Sequence, residues 1–248
     1  MEAKMVDSPV AVVTGGSCGI GASVAKTIAS LGHRIILTYN THAFEAEEVV
    51  RCIREDGGDA IAVKVDAANA GEISLLAKHP WCKSGICALV LNHGMYERWP
   101  ASQVDPDRMS KTLEINFLSS HRIWWELNSQ IIDGASIVVI GSQLSTKGSV
   151  HGADYAASKA ALTTWARSLA LDVAERSIRV NVVAPGFVDT AILSQDSEKQ
   201  RHEREEKVPL GRIADPDEIA GVVGFLCSEE AAYMTAGVIH VNGGLYRP

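Results

Sequence analysis

No stretch of about eighteen consecutive apolar residues occurs in the chain, so no membrane-spanning helix is expected. Paired cysteines are also missing. Cys18, Cys52, Cys82, Cys87 and Cys227 are odd in number and scattered, which fits reduced thiols rather than a disulfide framework. Cys82 and Cys87 are too far apart for a C-x-x-C site, and no His or Cys pair has the spacing of a zinc site, so no metal is expected. Basic runs are absent too. With 23 Lys and Arg against 30 Asp and Glu, the formal charge is −7, which argues against a nucleic-acid partner. The most charge-rich stretch, SEKQRHEREEK at 197–207, mixes both signs and reads as a solvated helix face. The opening MEAKMVDSPVAVVTGG runs almost directly into a strand with no secretion-leader pattern. A cytoplasmic protein that neither binds nor crosses a membrane is the expectation.

What is present is alternation. VAVVTG (10–15), RIILTY (34–39), DAIAVKVD (59–66), CALVLNHG (87–94), ASIVVIGS (135–142), IRVNVVAPG (178–186) and GVIHVNGG (237–244) read as strands. Between them lie helical stretches at 19–32, 43–58, about 106–131, 153–175 and 215–228. Near-continuous apolar strands alternating with helices predict an α/β fold, a doubly wound parallel (Rossmann) sheet of about seven strands covered on both faces. No long polar linker and no short-period repeat appears, so residues 1–248 are read as one domain. The polar tract 190–210, after a Pro-Gly turn, is the expected mobile substrate-binding segment.

TGGSCGIG (14–21) sits between the first strand and the first helix. Glycines at 15, 19 and 21 allow a tight turn and close approach of a pyrophosphate, and the helix N-terminus offers free N–H groups to the phosphates. Gly15, Ser17, Cys18, Gly19, Ile20 and Gly21 are therefore candidate dinucleotide ligands. The second strand ends in LTYNTH, with Tyr39, Asn40, Thr41 and His42 and no carboxylate before Glu45. A carboxylate there would repel a 2′-phosphate. Neutral donors favour NADP(H) over NAD(H).

GADYAASKAALTTWARSL (152–169) places Tyr155 and Lys159 one helical turn apart, on one face. Alone, the pair reads as a packed ring and a solvated ammonium rather than as a phenol activated by its neighbour. Ser142 ends a strand thirteen residues before Tyr155, and Asn116 lies within the helical LEINFLSSHRI. Together with TGGSCGIG, LNHG, APGFVDT and the closing VPLGRIADPDEIAGVVGFLCSEEAAYMTAGVIHVNGGLY, these residues resemble the short-chain dehydrogenase/reductase family, and within it the beta-ketoacyl-(acyl-carrier-protein) reductase group, over essentially the whole chain.

The resemblance implies that Tyr155 is the general acid and base, that Ser142 hydrogen-bonds the substrate oxygen, and that Lys159 holds the nicotinamide ribose and depresses the phenol pKa. Asn116 would widen its helix and hold a water beside Lys159. It further implies cofactor contacts from Asp66 and Ala67, from Asn92, His93 and Gly94, and from Pro185, Gly186, Val188 and Thr190. Thr190 could equally cap a helix. Gln143, Leu144, Met95, Tyr96, Trp99, His151 and Phe187 are substrate-side candidates or else packing residues. Trp124 and Trp125 either pack within the subunit or join a second one, as in a homotetramer.

The chain also departs from the family pattern. LNHG replaces Asn-Asn-Ala-Gly, so His93 either fills a polar gap or touches the ribose. Cys87 stands where the family usually carries Asp, with loss of a local polar contact expected. Arg176 matches a basic position used to dock an acyl-carrier protein, but WWELNSQIIDG offers no second one and carries Asp133. That leaves the carrier protein open as a partner. A small ketone, a coenzyme A thioester or a secondary metabolite are the other substrate classes. A lyase on the same scaffold is disfavoured by the glycine turn and Lys159, and a non-catalytic dinucleotide sensor by the intact Ser142, Tyr155 and Lys159.

Overall fold

The computed structural model describes residues 10–191, 193 and 197–247. Part of the tract expected to be mobile, residues 192 and 194–196, lies outside them. Seven strands form one parallel sheet: β1 (Val10–Val13), β2 (Arg34–Tyr39), β3 (Ala60–Lys64), β4 (Ile86–Leu91), β5 (Ile131–Ile140), β6 (Arg179–Pro185) and β7 (Val238–Val241). Their order is β3-β2-β1-β4-β5-β6-β7. The order reverses between β1 and β4, and open α/β sheets bind ligands at the carboxyl ends of the strands beside such a point.

The helices are α1 (Gly19–Ser30), α2 (Ala43–Glu55), α3 (Ala70–Ala77), α4 (Pro80–Lys83), α5 (Pro106–Leu113), α6 (Ser119–Leu127), α7 (Leu144–Lys147), α8 (Ala153–Asp172), α9 (Glu198–Glu205) and α10 (Pro216–Cys227). Several start where side chains answer the open N–H groups of the first turn. Asp105 accepts from Arg108 N at 2.8 Å, with Pro106 as the first helical residue. Asp215 with Glu218, and Ser197 with Gln200, form reciprocal capping boxes.

Alternate residues of each strand point to opposite faces, and both faces are apolar. Val10, Val12, Ile137 and Val139 enter one core, with Leu162 and Ala166 of α8. Ala11, Val13, Val138 and Ile140 enter the other, with Val24 and Ile28 of α1 and Val223 of α10. Two-sided burial explains why the strands show little polar alternation.

Three departures from the sequence reading have local causes. β5 begins at Ile131, inside the stretch read as helix, because Ile132, Asp133 and Gly134 bulge out of the ladder. Ile86 pairs with Ile131 but Ala88 with Ser136, and Gly134 adopts φ +79°. The helix expected over 106–131 is broken in mid-course by a π-helical turn at Glu114–Leu118. The short helices α3 and α4 escaped notice because neither is long enough to show a period.

Candidate active site

A cavity of about 710 Å³ opens along the carboxyl ends of the strands. At one end it is lined by the glycine turn, by Tyr39, Asn40, Thr41 and His42 after β2, and by Asp66 and Ala67 after β3. The turn is built for close approach. Gly15 and Gly19 have φ +63° and +52°, and a Cβ on Gly21 would lie 2.1 Å from Gly15 O and 2.5 Å from Asn92 Nδ2. Gly21 therefore packs the start of α1 against the turn and does not itself line the cavity. The first turn of α1 has neither a side-chain cap nor an acidic residue. Its N–H groups and the helix dipole face the cavity unanswered, which suits a phosphate. Ser17, Cys18, Gly19 and Ile20 all line this end, and Cys18 is exposed.

The opposite end is set by β5 and α8. Gly152 adopts φ +116° before α8, and a Cβ there would lie 2.8 Å from the Tyr96 ring. The tight entry brings Tyr155 against Tyr96, edge to face, with centroids 5.0 Å apart. Ser142, just past β5, accepts from Leu144 N at 3.1 Å and lines the cavity with Tyr155. Lys159 is buried, donates to Ile140 O at 2.7 Å, and its Nζ lies 5.8 Å from the centre of the Tyr155 ring.

Electrostatics here differ from the expectation. Burial, with a small contribution from Tyr96, pushes the Tyr155 phenol up to about 12, offset in part by the Ser142 hydroxyl. Burial also pulls the Lys159 ammonium down to about 8. In the protein alone, desolvation outweighs any help from Lys159, so the phenol keeps its proton through neutral pH.

Asn116 sits in the π-helical turn, fully buried. Its Oδ1 accepts from Met95 N at 2.7 Å, and its Nδ2 donates to Met95 O and Ser158 Oγ, both at 3.0 Å. Asn116 does not line the cavity. It fixes the Gly94–Met95 turn, where a Cβ on Gly94 would lie 3.1 Å from Asn116 Oδ1 and 3.5 Å from Lys159 Nζ.

His93 bridges the two halves of the site. Its Nδ1 lies 2.8 Å from Thr14 Oγ1 and its Nε2 lies 2.6 Å from Ser119 Oγ. Ser119 also donates to Ile115 O at 2.6 Å, and Thr14 to Val90 O at 3.2 Å. If both hydroxyl protons went to those carbonyls, the ring would need two N–H groups. Burial and the Lys159 ammonium instead hold its pKa down to about 4, so it is neutral and one hydroxyl must turn to it. The longer bond, from Thr14, is the one to yield.

The remaining candidates separate cleanly. Asn92, Gly94, Met95, Gln143, Leu144, His151, Pro185, Gly186, Phe187, Val188 and Thr190 line the cavity. Trp99 does not; its Nε1 donates to Gln103 O at 2.9 Å. Thr190 starts no helix. It lies in a bend, and a Cβ on Gly19 would lie 3.0 Å from Thr190 Cγ2. Cys87 keeps polar partners, with Sγ 3.3 Å from both Val10 O and His33 Nδ1. Trp124 packs on the core while Trp125 is 68% exposed, so the two are not a buried pair. Arg176 is joined to Asp133 at 2.9 Å. Among the described residues no His, Cys, Asp or Glu cluster could hold a metal, and no helix is long and apolar enough to cross a membrane. The sequence reading missed Arg98, Ser149 and Arg204 as lining residues. Spacing could have flagged Arg204, which follows Arg201 by three residues on one helix face.

A family model described as "Enoyl-(Acyl carrier protein) reductase" matches residues 15–246. The 3-oxoacyl-[acyl-carrier-protein] reductase FabG of Vibrio cholerae is 34% identical over 247 residues, covering 97% of this chain and 98% of that protein. This chain is a short-chain dehydrogenase/reductase. A short-chain dehydrogenase/reductase from Serratia marcescens superposes with a TM-score of 0.90 at 32% identity, covering 96% of this chain and 97% of that one. A short-chain dehydrogenase of Burkholderia cenocepacia in complex with NADP gives 0.90 at 30% identity, covering 96% and 98%. As a short-chain dehydrogenase/reductase, the protein is an NAD(P)-dependent oxidoreductase.

Proposed function

We propose that the protein reduces a ketone to a secondary alcohol with NADP(H), using Tyr155 as the proton donor. The observation that carries this reading is the convergence of Ser142, Tyr155 and Lys159 on one cavity, with the phenol protonated at neutral pH. A nicotinamide dinucleotide, when bound in this cavity, would supply the hydride. Ser142 and Tyr155 both reach toward the substrate oxygen, which becomes alkoxide-like as reduction proceeds. Two fixed donors stabilise that charge, and the phenol proton is transferred to the oxygen to give the alcohol. Lys159 places a positive charge behind the phenol and compensates its loss of a proton. Asn116 keeps the turn beside Lys159 in place.

The glycine turn and the uncapped start of α1 would hold the phosphates, and Asp66 and Ala67 the adenine. Asn92, Gly94 and the 185–190 segment would hold the ribose and carboxamide. Preference for NADP(H) is supported by the absence of a carboxylate among Tyr39, Asn40, Thr41 and His42 at the end of β2.

Docking of a carrier protein through Arg176 is disfavoured by its ion pair with Asp133. A small-molecule ketone or thioester is the substrate class that follows. Exposed Trp125 on α6 and Leu171 on α8 support assembly as a homotetramer, and the cytoplasm is the compartment that suits the free thiols. The test is oxidation of NADPH and NADH by the purified protein with a ketone panel that includes acetoacetyl-coenzyme A. Turnover with NADPH in clear excess over NADH is expected. Cofactor binding with no turnover on any ketone would sink the reading.

A further inference from the structure

The charges lining the cavity are uneven. In a chain of net charge −7, the only carboxylate among the described residues that line it is Asp66, at the adenosine end. The substrate end carries Arg98 and Arg204 instead. Both also line a smaller adjoining cavity of about 130 Å³, together with Phe187 and Lys207.

The cations come from separate elements. Arg98 follows the Gly94 turn. Arg204 belongs to α9, which Arg201 ties to Asp189 by a two-pronged ion pair at 3.0 and 2.8 Å. The Arg204 guanidinium lies 4.9 Å over the Phe187 ring, which holds it at the mouth. The neighbouring Glu97 is turned to Arg108 at 2.8 Å, and among the described residues Arg98 has no ion pair. Glu203, the one acid lining the small cavity, lies 4.0 Å from Lys199.

From this arrangement we infer that the substrate is an anionic ketone, its carbonyl at Tyr155 and its carboxylate or phosphate tail at the mouth, where Arg98 is the recognising cation and Lys207 lies beside it. The inference rests on the ketone-reductase reading and narrows its substrate class. Guanidinium groups recognise both kinds of anion through paired N–H donors, and an excess of positive charge at a mouth raises the local concentration of anions there.

The experiment measures kcat/KM with NADPH for matched ketones: acetoacetate and acetoacetyl-coenzyme A as anions, ethyl acetoacetate as the neutral partner. The anion-to-neutral ratio is expected to exceed tenfold at low salt and to fall as NaCl screens the mouth. In Arg98→Gln that ratio is expected to drop about tenfold, and in Arg98→Glu further still. Cofactor fluorescence on titration confirms that each variant is folded. The winning anion separates a carboxylate tail from a phosphate one. A ratio near one, or a ratio indifferent to salt and to Arg98, overturns the inference and leaves the reductase standing. A defect confined to the KM for NADPH would assign Arg98 to the cofactor and overturn it equally. No turnover on any ketone would instead remove the reductase reading itself, and the inference with it.

Discussion

Lys159 Nζ donates to the carbonyl oxygen of Ile140 at 2.7 Å while lying 5.8 Å from the centre of the Tyr155 ring. The ammonium is thus tethered to the last residue of β5, the strand that leads directly to Ser142. One hydrogen bond does not repay the loss of water around a buried cation, so its pKa falls to about 8.

That burial predicts a gain in stability when Lys159 is removed. The folded pKa of about 8 lies below the ordinary lysine value of 10.5, so between these pH values the unfolded chain binds more protons and stability rises with pH. At pH 7 the charged, buried group is a cost. Lys159→Met should be more stable than the wild type by roughly 1–3 kcal/mol at pH 7, with the difference shrinking toward pH 10 and turnover lost. Urea midpoints at both pH values check this. A variant less stable at both would show that the Ile140 bond outweighs the burial.

Tyr155→Phe keeps the ring against Tyr96 and removes only the hydroxyl. Turnover should fall by about 10²–10⁴-fold or more, the usual worth of a positioned proton donor, while NADPH binding by fluorescence stays within a few-fold. Retained turnover would exclude Tyr155 as the acid.

His93 gives the protein an acid-sensitive joint. Its folded pKa of about 4 lies below the ordinary 6.5. Between these values the folded state binds fewer protons, so the contribution is complete above about pH 6.5 and is lost as pH falls toward 4. His93→Gln should flatten the dependence of unfolding free energy on pH in that window, by up to about 1.4 kcal/mol per pH unit. An unchanged slope would mean that the ring is not held neutral between Thr14 and Ser119.

Tyr39→Asp places a carboxylate at the end of β2, where it can bind ribose hydroxyls and repel a 2′-phosphate. The ratio of kcat/KM for NADPH to that for NADH should fall by about tenfold or more. If the ratio holds, the residues after β2 do not set cofactor preference.

The parallel sheet was legible because its strands are apolar on both faces, and no other arrangement buries both. Tyr155 and Lys159 could be set on one face because one helical turn fixes their relation locally, but their roles, and that of Ser142, were implied by the resemblance to the family and not by spacing. The direction of the pKa shifts was not legible. Whether an ammonium lowers a phenol depends on how much water each has lost, and burial is a property of the whole fold. The bulge at Ile132–Gly134 was hidden because register belongs to the neighbouring strand β4. Arg98 and Arg204 stayed unassigned because they meet only after a loop from β4 and a helix beyond β6 reach the same mouth.

The π-helical turn at Glu114–Leu118 has a consequence for the outer surface. Each residue of an α-helix turns the chain by about 100°, and a π turn takes in one residue more than the regular count. That extra residue sets the azimuth of α6 relative to α5. Deleting it would restore regular hydrogen bonding along the helix, yet would swing Ile123 and Leu127 out of the core and carry Trp125 toward it. Chain length between Thr112 and Ser119 is therefore fixed by two demands at once, the inward aim of one asparagine and the outward aim of one tryptophan, and an insertion or deletion there would alter the interior turn and the exterior face together.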